Sequence, residues 1–225
     1  MRLKTPINGE ELKTHFTYNL WKYVLLVVAA VIIWSMWGDK KPSYAEDKKI
    51  EVYVMTSTTD SEIINQFLEP LWQEYVPEME SVVSYTIPIL DEYSMTQYFF
   101  TRFYAGEGDI YFLTEDYFKE YAAQGCFLPL EELVANGTIQ TGGADLQNGY
   151  IKDVIYNSDQ EPVSTESHLY GIPLDSFDGY QSKIGLYNKK MFASIVVFNK
   201  NDENVIPFFN VLLQAGMEAG EDTGN

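Results

Sequence analysis

The sequence predicts an α/β protein with a mostly parallel sheet and helices on both faces, preceded by one N-terminal transmembrane helix. Short segments rich in β-branched and aromatic residues alternate with longer segments whose apolar residues recur every three or four positions. Three such strand–helix units follow one another, and right-handed crossovers between them would place the strands in parallel. An uncharged apolar run lies before the first unit.

The first unit begins with the strand KIEVYVMTS, residues 49–57, because β-branched and aromatic residues favour extended structure. The next segment, residues 58–80, predicts a helix. Thr59 is its expected N-cap, since Glu62 three residues later would complete a capping box. Pro70 is expected to kink the helix or to split it. The apolar residues at helical spacing are Ile63, Ile64, Phe67, Leu68, Leu71 and Trp72.

The second and third units follow the same pattern, and glycines mark the ends of their helices. Gly106 closes the second helix, and Gly125 takes the C′ position of the third, where glycine is favoured because it readily adopts a left-handed backbone. In chain order the predicted segments are the strand SVVSYTIPIL, the helix EYSMTQYFFTRFYAGEG, the strand DIYFLT and the helix EDYFKEYAAQG.

The second half of the chain is less regular. It contains a short predicted helix, residues 130–134, a glycine-rich turn and a polar insert. A final helix is expected to begin near Asn201. Residues 49–215 should therefore form one domain, and residues 216–225 a flexible tail. The predicted strands of this half are LYGIPL, IGLYN and ASIVVFN.

The composition excludes several classes of function. Of the 225 residues, 46% are hydrophobic, which is enough for a substantial core, and the formal net charge of −18 should repel nucleic acid and anionic lipid headgroups. Cys126 is the only cysteine, so it has no partner for an intramolecular disulfide, and His15 and His168 are too few for a histidine metal site. The sequence therefore predicts no metal, no cofactor and no nucleic-acid partner.

Residues 23–37 are predicted to form a transmembrane helix. Trp21 and Trp34 bracket the apolar run, as aromatic residues do at membrane interfaces, and the side chain of Lys22 can reach from the end of the run toward the headgroups. Basic residues before the run place residues 1–22 in the cytoplasm. The bulk of the chain would then lie outside a single-pass cell-membrane anchor.

Two alternatives to the anchor stay open. The run is also compatible with a cleaved secretory signal, because Ser43 and Ala45 are small residues at the spacing that signal peptidase prefers. A helix buried in a soluble domain is disfavoured, since the run has no amphipathic period. Residues 38–48 are polar, contain a proline and are predicted to be a linker.

Four stretches carry a resemblance to a known family. They are VYVMTSTTDSEIINQFLEPLWQEY, GEGDIYFLTEDYFKEYAAQGCFLPLEEL, the YGIPL that begins at Tyr170, and VVFNKNDENVIPFFNVLL. In this order they resemble the extracellular solute-binding proteins of bacterial ABC importers, in the class with the type 2 periplasmic-binding fold. The positions that match the second family motif are Asp109, Ile110, Tyr111, Gly125, Phe127, Leu128, Pro129 and Leu130, with Phe127 where leucine is usual.

The resemblance implies one lobe of a periplasmic-binding-protein fold, an extracytoplasmic location, a small polar solute as ligand and an ABC permease in the membrane as partner. Family members are longer and have a full second lobe between the Tyr-Gly-Ile-Pro strand and the last helix. Only residues 174–200 separate these two segments here. The second lobe is therefore expected to be reduced or missing.

Ligands of open parallel sheets bind beyond the carboxyl ends of the strands, and the first predicted loop there is rich in hydroxyl groups. Thr56, Ser57, Thr58 and Thr59 follow the first strand. With the free N–H groups of the next helix, they are candidates to hold a sugar hydroxyl, a carboxylate or a phosphate. The alternative role of these residues is to cap the helix.

Two further loops supply candidate ligand-binding residues. Thr114 and Glu115 follow the third strand, where carboxylates favour a polyol or a cation; complementing the helix dipole is their alternative role. Asp175 and Asp178 lie between two tyrosines, and the spacing of a calcium loop is absent. These flanking rings, Tyr170 and Tyr180, are candidates for stacking on a sugar, although the 17 tyrosines of the chain will line any core.

The sequence predicts a membrane-anchored extracytoplasmic solute-binding-like protein that binds a small polar solute, for example an oligosaccharide, for an ABC importer. The alternative is a ligand-less interaction or sensory ectodomain that contacts a membrane or envelope partner. No catalytic residue and no enzymatic activity are expected, because His168 has no G-x-S-x-G partner motif and Cys126 has the setting of a packed thiol.

Overall fold

The computed structural model of the chain describes residues 20–31, 44–152, 155–156, 162–164, 166–197 and 201–218. The chain divides into two compact units, one up to Ser43 and one from Tyr44 to Asn225. The domain predicted over residues 49–215 lies within the second unit.

The first unit contains a helix, α1, over residues 20–31. Its side chains are exposed, including Trp21 at 71% and Leu26 at 66%. Within the described residues, no helix has both the length and the apolar character needed to cross a membrane. Residues 32–37 of the predicted span, and most of the predicted linker and cytoplasmic segment, lie outside the described residues. The transmembrane helix stays a prediction.

The second unit is built on nine strands among the described residues. They are β1 (Lys49–Met55), β2 (Ser81–Ile87), β3 (Ile110–Thr114), β4 (Tyr150–Lys152), β5 (Ile155–Tyr156), β6 (Pro162–Ser164), β7 (Ser167–Leu169), β8 (Ile172–Pro173) and β9 (Met191–Ile195). The described helices of this unit are α2 (Ser61–Tyr75), α3 (Glu92–Ala105), α4 (Glu115–Ala123), α5 (Glu131–Ala135), α6 (Asp178–Ile184) and α7 (Asp202–Met217).

The main sheet has five strands in the order β2-β1-β3-β9-β8. β1 pairs in parallel with β2 and β3, whereas β9 runs antiparallel to both β3 and β8. Four strands therefore point the same way and β9 is reversed, which confirms the prediction of a mostly parallel sheet. The polar insert forms two separate two-stranded ladders, β4–β7 and β5–β6.

Side chains of β1 alternate between two cores, one on each face of the sheet. Val52 and Val54 pack with apolar residues of α2, α6 and α7. Tyr53 and Met55 point the other way and pack with α3 and α4. This alternation follows from the two-residue period of a strand. Helices on both faces, as predicted, bury both sides of the sheet.

Helices α6 and α7 make a close contact around Tyr180. Its hydroxyl donates a hydrogen bond of 2.7 Å to the Leu212 carbonyl oxygen of α7. A Cβ atom added to Gly216 would lie 2.3 Å from the Tyr180 ring, so glycine is the residue that fits there. Gly216 and Met217 belong to α7, although both were predicted to start the tail; residues 219–225 lie outside the described residues.

Several boundaries differ from those predicted. IGLYN is not a strand: Ile184 ends α6, and Gly185 caps it in the left-handed conformation at φ 66°. LYGIPL contributes only Ile172 and Pro173 to the main sheet. Pro70 lies within α2, which runs unbroken from Ser61 to Tyr75, so the predicted split is wrong.

The segment after β8 builds no second lobe within the part of the chain that the structure describes. Between Leu174 and Val197 it forms α6 and then β9, and β9 joins the main sheet. The expectation of a reduced second lobe therefore agrees with the described residues. β9 lies between β3 and β8, and just beyond its end the Val196 N–H donates to the carbonyl oxygen of Asp109 at 3.0 Å.

Asp109, a residue of the family-like motif, lies at the amino end of β3. Its carboxylate accepts a 2.7 Å hydrogen bond from the backbone N–H of Glu51, which ties β3 to β1. Burial raises the pKa of the Asp109 carboxyl to about 6. This position is opposite to the carboxyl edge at which ligands are expected, so the role of Asp109 in this fold is structural.

The raised pKa of Asp109 predicts a pH-dependent stability. Between pH ~4 and about 6, the Asp109 carboxyl is protonated in the folded state and ionised in the unfolded state. The contribution of Asp109 to the free energy of unfolding therefore falls as pH rises through this range, and it is constant above it. We expect Asp109→Asn, which retains the acceptor oxygen, to remove this dependence, worth up to about 3 kcal/mol. Urea unfolding of both proteins across this pH range measures the difference; parallel pH profiles would contradict it.

Candidate functional site

The candidate site lies at the carboxyl edge of the sheet, where β1, β3 and β8 end. Thr56 to Thr59 follow β1. The Thr58 hydroxyl donates to the Gly185 carbonyl oxygen at 3.0 Å, and the Thr59 hydroxyl donates to the Ile184 carbonyl oxygen at 2.7 Å. These two hydroxyls join the β1–α2 loop to the end of α6, whereas the exposed Ser57 hydroxyl has no hydrogen-bond partner in the described residues.

The N-cap of α2 is Asp60, not Thr59 as predicted. The Asp60 carboxylate accepts hydrogen bonds from the N–H groups of Glu62 at 2.9 Å and Ile63 at 3.1 Å. Aspartate is a strong N-cap, so it displaces the expected capping box. A negative charge already occupies this helix end, and the loop therefore disfavours the carboxylate or phosphate ligand that its hydroxyls suggested.

Thr114 and Glu115 form the corner between β3 and α4. The backbone N–H of Glu115 donates to the Lys190 carbonyl oxygen at 2.9 Å, which joins this corner to the start of β9. The Glu115 carboxylate pairs with Lys119 one turn along α4 at 2.5 Å. This hydrogen bond lowers the pKa of Glu115. The charge is thus neutralised locally, and both residues remain half-buried at the edge.

Asp175 lies in the turn between β8 and α6, Asp178 is the first residue of α6, and both are exposed. One carboxylate oxygen of Asp175 accepts a 3.1 Å hydrogen bond from the backbone N–H of Lys190. The Asp178 carboxylate lies 3.4 Å from the ammonium group of Lys189. The structure therefore brings the three predicted polar loops together at one edge, with the Lys189–Lys190 turn between two of them.

The two predicted stacking tyrosines do not line this edge. Tyr180 is 1% exposed and lies in the core among α6, α7 and β3. Tyr170 is 4% exposed and packs in the opposite core, on the side of α3 and α4. Both predictions are corrected for the same reason: these rings fill core volume and have no open face for a sugar.

Asn188 is a site residue that the sequence did not single out. It is 1% exposed, and its amide donates to the carbonyl oxygens of Leu174 at 2.6 Å and Phe177 at 2.9 Å. These bonds fix the turn that carries Asp175. The only local signal is the Asn-Lys-Lys sequence, typical of a tight turn, and Lys190 indeed takes a left-handed backbone at φ 56°.

The chemistry of the edge suits a neutral polar molecule. It offers hydroxyls of Ser57 and Thr58, paired carboxylates and the exposed Lys189–Lys190 turn. Glu115 and Asp178 each have a lysine partner, so a charged ligand gains little from these two carboxylates. Among the described residues, no group of three His, Cys, Asp or Glu side chains is placed to hold a metal ion.

No protein-family model and no curated protein matches the sequence. Solved structures similar to this chain include three solute-binding proteins. One is an extracellular solute-binding protein of family 1 from Alicyclobacillus acidocaldarius, at 19% identity and a TM-score of 0.39; the likeness covers 60% of this chain and 29% of that one.

The other two are named with sugar ligands. An ABC substrate-binding protein from Listeria monocytogenes, in complex with cycloalternan, is 16% identical with a TM-score of 0.35, covering 55% of this chain and 28% of that one. An ABC transporter solute-binding protein from Agrobacterium vitis, with bound D-mannitol, is 16% identical with a TM-score of 0.34, covering 56% and 27%. This chain thus spans less than a third of each of these proteins.

The buried amide of Asn188 should hold the edge together. We expect Asn188→Ala to lower the free energy of unfolding by about 2 kcal/mol, because two hydrogen bonds of about 1 kcal/mol each are lost. Tyr187→Ala is the matched control. Tyr187 precedes Asn188 in the chain and its side chain is 62% exposed, so this substitution should change the free energy of unfolding by less than about 0.5 kcal/mol. Equal unfolding midpoints in urea for the two variants would contradict this role.

Proposed function

We propose that the protein is a membrane-anchored, extracytoplasmic solute-binding-like protein that holds a small polar solute at the carboxyl edge of its sheet. A neutral polyol or an oligosaccharide is the class of solute that this edge fits. The observation that carries the proposal is the convergence of three loops at one edge of the sheet. The β3–α4 and β8–α6 loops bond to Lys190, and the β1–α2 loop bonds to Gly185 at the end of α6. Ligands of open α/β sheets bind at such an edge.

The arrangement of hydrogen-bonding groups supports a neutral ligand. Asp60 already satisfies the first N–H groups of α2, so an anion would meet a carboxylate there. Glu115 and Asp178 are each paired with a lysine, which leaves their remaining lone pairs as acceptors. Hydroxyl groups of a sugar both donate and accept, and therefore suit a surface of hydroxyls and paired carboxylates.

The anchor and the partner belong to the same proposal. Residues 1–22 would lie in the cytoplasm, residues 23–37 would cross the membrane, and residues 38–48 would link the span to the domain. The apolar run and the basic residues before it support this topology. The family resemblance of the YGIPL and VVFNKNDENVIPFF stretches supports an ABC permease as the membrane partner.

The alternative is an ectodomain that binds no solute and contacts a membrane or envelope partner. Two observations favour it. Tyr170 and Tyr180 lie in the cores and offer no stacking face. Residues 174–197 add β9 to the main sheet instead of forming a second wall opposite the edge. A one-sided site buries less of a ligand than the ~70–90% typical of small-molecule sites.

Solute binding should raise the melting temperature of the full chain, because a ligand of the native state alone shifts the unfolding equilibrium. We propose a thermal-shift screen in detergent with D-mannitol, malto-oligosaccharides, amino acids and inorganic phosphate as probes. A sugar or polyol should give a concentration-dependent rise, and phosphate should give none. A rise with phosphate and not with polyols would contradict the neutral-ligand edge.

A substitution of Ser57 tests whether the ligand that raises the melting temperature binds at this edge. Ser57→Ala should leave the unliganded melting temperature unchanged, since the hydroxyl has no hydrogen-bond partner among the described residues. It should weaken the binding of the active probe about fivefold through the loss of one hydrogen bond. Ser81→Ala, at the opposite end of the sheet, is the control. No response to any probe, or equal affinities for the two variants, would favour the interaction ectodomain.

A further inference from the structure

Helices α3 and α4 leave a groove on the face of the sheet away from α6 and α7. Its walls are Phe100, Phe103 and Tyr104 of α3 and Glu120 and Tyr121 of α4, with Cys126 beyond the end of α4, and its volume is about 270 Å³. We call it the α3–α4 groove. None of the predicted solute-binding residues lines it.

Aromatic rings form the base of the α3–α4 groove. The Tyr121 ring lies 4.7 Å from the Phe99 ring and 5.1 Å from the Phe103 ring, between ring centroids. Phe99 is fully buried, and Phe103 also contacts Phe127 at 5.9 Å. These large rings pack between α3 and α4 and form the floor of the groove. This floor should be rigid, because packed aromatic side chains in a core have little room to move.

Large aromatic side chains of α3 stand exposed at the rim. Phe100 is 64% exposed and Tyr104 is 87% exposed, and their rings stack on each other at 6.0 Å. Tyr93, two turns before Phe100 on the same helix, is 75% exposed. Contiguous exposed aromatic surface next to an apolar groove is typical of a protein-interaction site, where such rings act as anchors.

Negative charge lies around Tyr117, one turn before the groove residue Tyr121 on α4. Burial raises the pKa of the Tyr117 hydroxyl, and the carboxylates of Glu120, Glu92, Asp116 and Asp91 raise it further. Glu120 also lines the groove itself. Lys119 of α4 is paired with Glu115, and within the described part of the chain none of these four carboxylates forms a salt bridge. They can therefore attract a positively charged partner.

We propose that the α3–α4 groove binds a basic amphipathic helix of a protein partner. Apolar side chains of that helix would enter the groove beside Phe100 and Tyr104, and its lysine or arginine side chains would face Glu120 and the neighbouring carboxylates. Helix-in-groove recognition uses this combination of apolar anchors and a charged flank.

Charge and size favour this occupant over others. A net charge of −18 opposes docking of a second copy of the chain and of an anionic lipid surface. The volume of about 270 Å³ is below the ~300–1,000 Å³ of most small-molecule sites. Individual apolar side chains fit a volume of this size. The α3–α4 groove is separate from the proposed solute-binding edge, since none of the residues of that edge lines the groove.

The test uses a synthetic peptide of leucine and lysine, about 18 residues or about five helical turns long, with leucines on one face. Fluorescence anisotropy of the labelled peptide is measured against the full chain at low and at physiological salt. We expect saturable binding that the double variant Phe100→Ala and Tyr104→Ala weakens at least about tenfold, because truncation of aromatic anchors removes much of the binding energy of such interfaces.

Two further variants separate the apolar and charged contributions. Glu120→Gln should weaken binding and reduce its salt dependence. Tyr187→Ala removes another exposed aromatic side chain, on the α6–β9 loop, and should leave binding unchanged. A peptide of leucine and glutamate with the same pattern should not bind.

Several outcomes would overturn the proposal. Binding that the Phe100/Tyr104 double variant leaves intact would mean attraction to overall negative charge only. Equal binding of the leucine–glutamate peptide would exclude charge recognition. Concentration-dependent self-association in sedimentation, abolished by the same double variant, would assign the groove to a second copy, and groove-dependent binding to anionic vesicles would assign it to a membrane. Circular dichroism of each variant confirms that it is folded.

Discussion

The pairing of β9 on both of its sides is the constraint on which the rest of the domain depends. Ala193 in this strand is opposite Phe112 of β3 and also opposite Ile172 of β8. Without β9, the short β8 would have no neighbour in the sheet, because its two residues pair with β9 and with no other described strand. The late segment of the chain therefore closes the sheet that the first three strands begin.

The reversal of β9 also decides where polar loops meet. β9 runs antiparallel to β3 and β8, so it starts at the edge of the sheet where these two strands end. The Lys189–Lys190 turn, which precedes β9, therefore lies at the carboxyl ends of β3 and β8. The backbone of Lys190 then bonds to both neighbouring corners, through the N–H of Glu115 and the carboxylate of Asp175. The other end of β9 is held by Asp109 at the amino edge. The candidate site is thus a consequence of strand direction.

Local patterns predicted the first half of the fold well. β1 to β3 and α2 to α4 lie where period and composition placed them, and Gly106 and Gly125 have the left-handed backbones that helix ends require. The direction of β9 and the burial of Tyr180 depend on contacts between distant segments, which no local pattern contains. IGLYN has the composition of a strand, but packing of α6 against α7 overrides that preference. The polar residues of the candidate site could be predicted from the sequence, because loops that follow parallel strands lie at one edge of the sheet. Asn188 could not, because it holds the edge only through hydrogen bonds to residues distant in the sequence.

Solution NMR of the isotope-labelled full chain tests the central position of β9 most directly. The account predicts nuclear Overhauser effects from backbone protons of Ala193 to those of both Phe112 and Ile172, in the pattern of antiparallel strands. Contacts to only one of these residues, or a parallel pattern with β3, would contradict the sheet order and with it the convergence of the three loops at one edge.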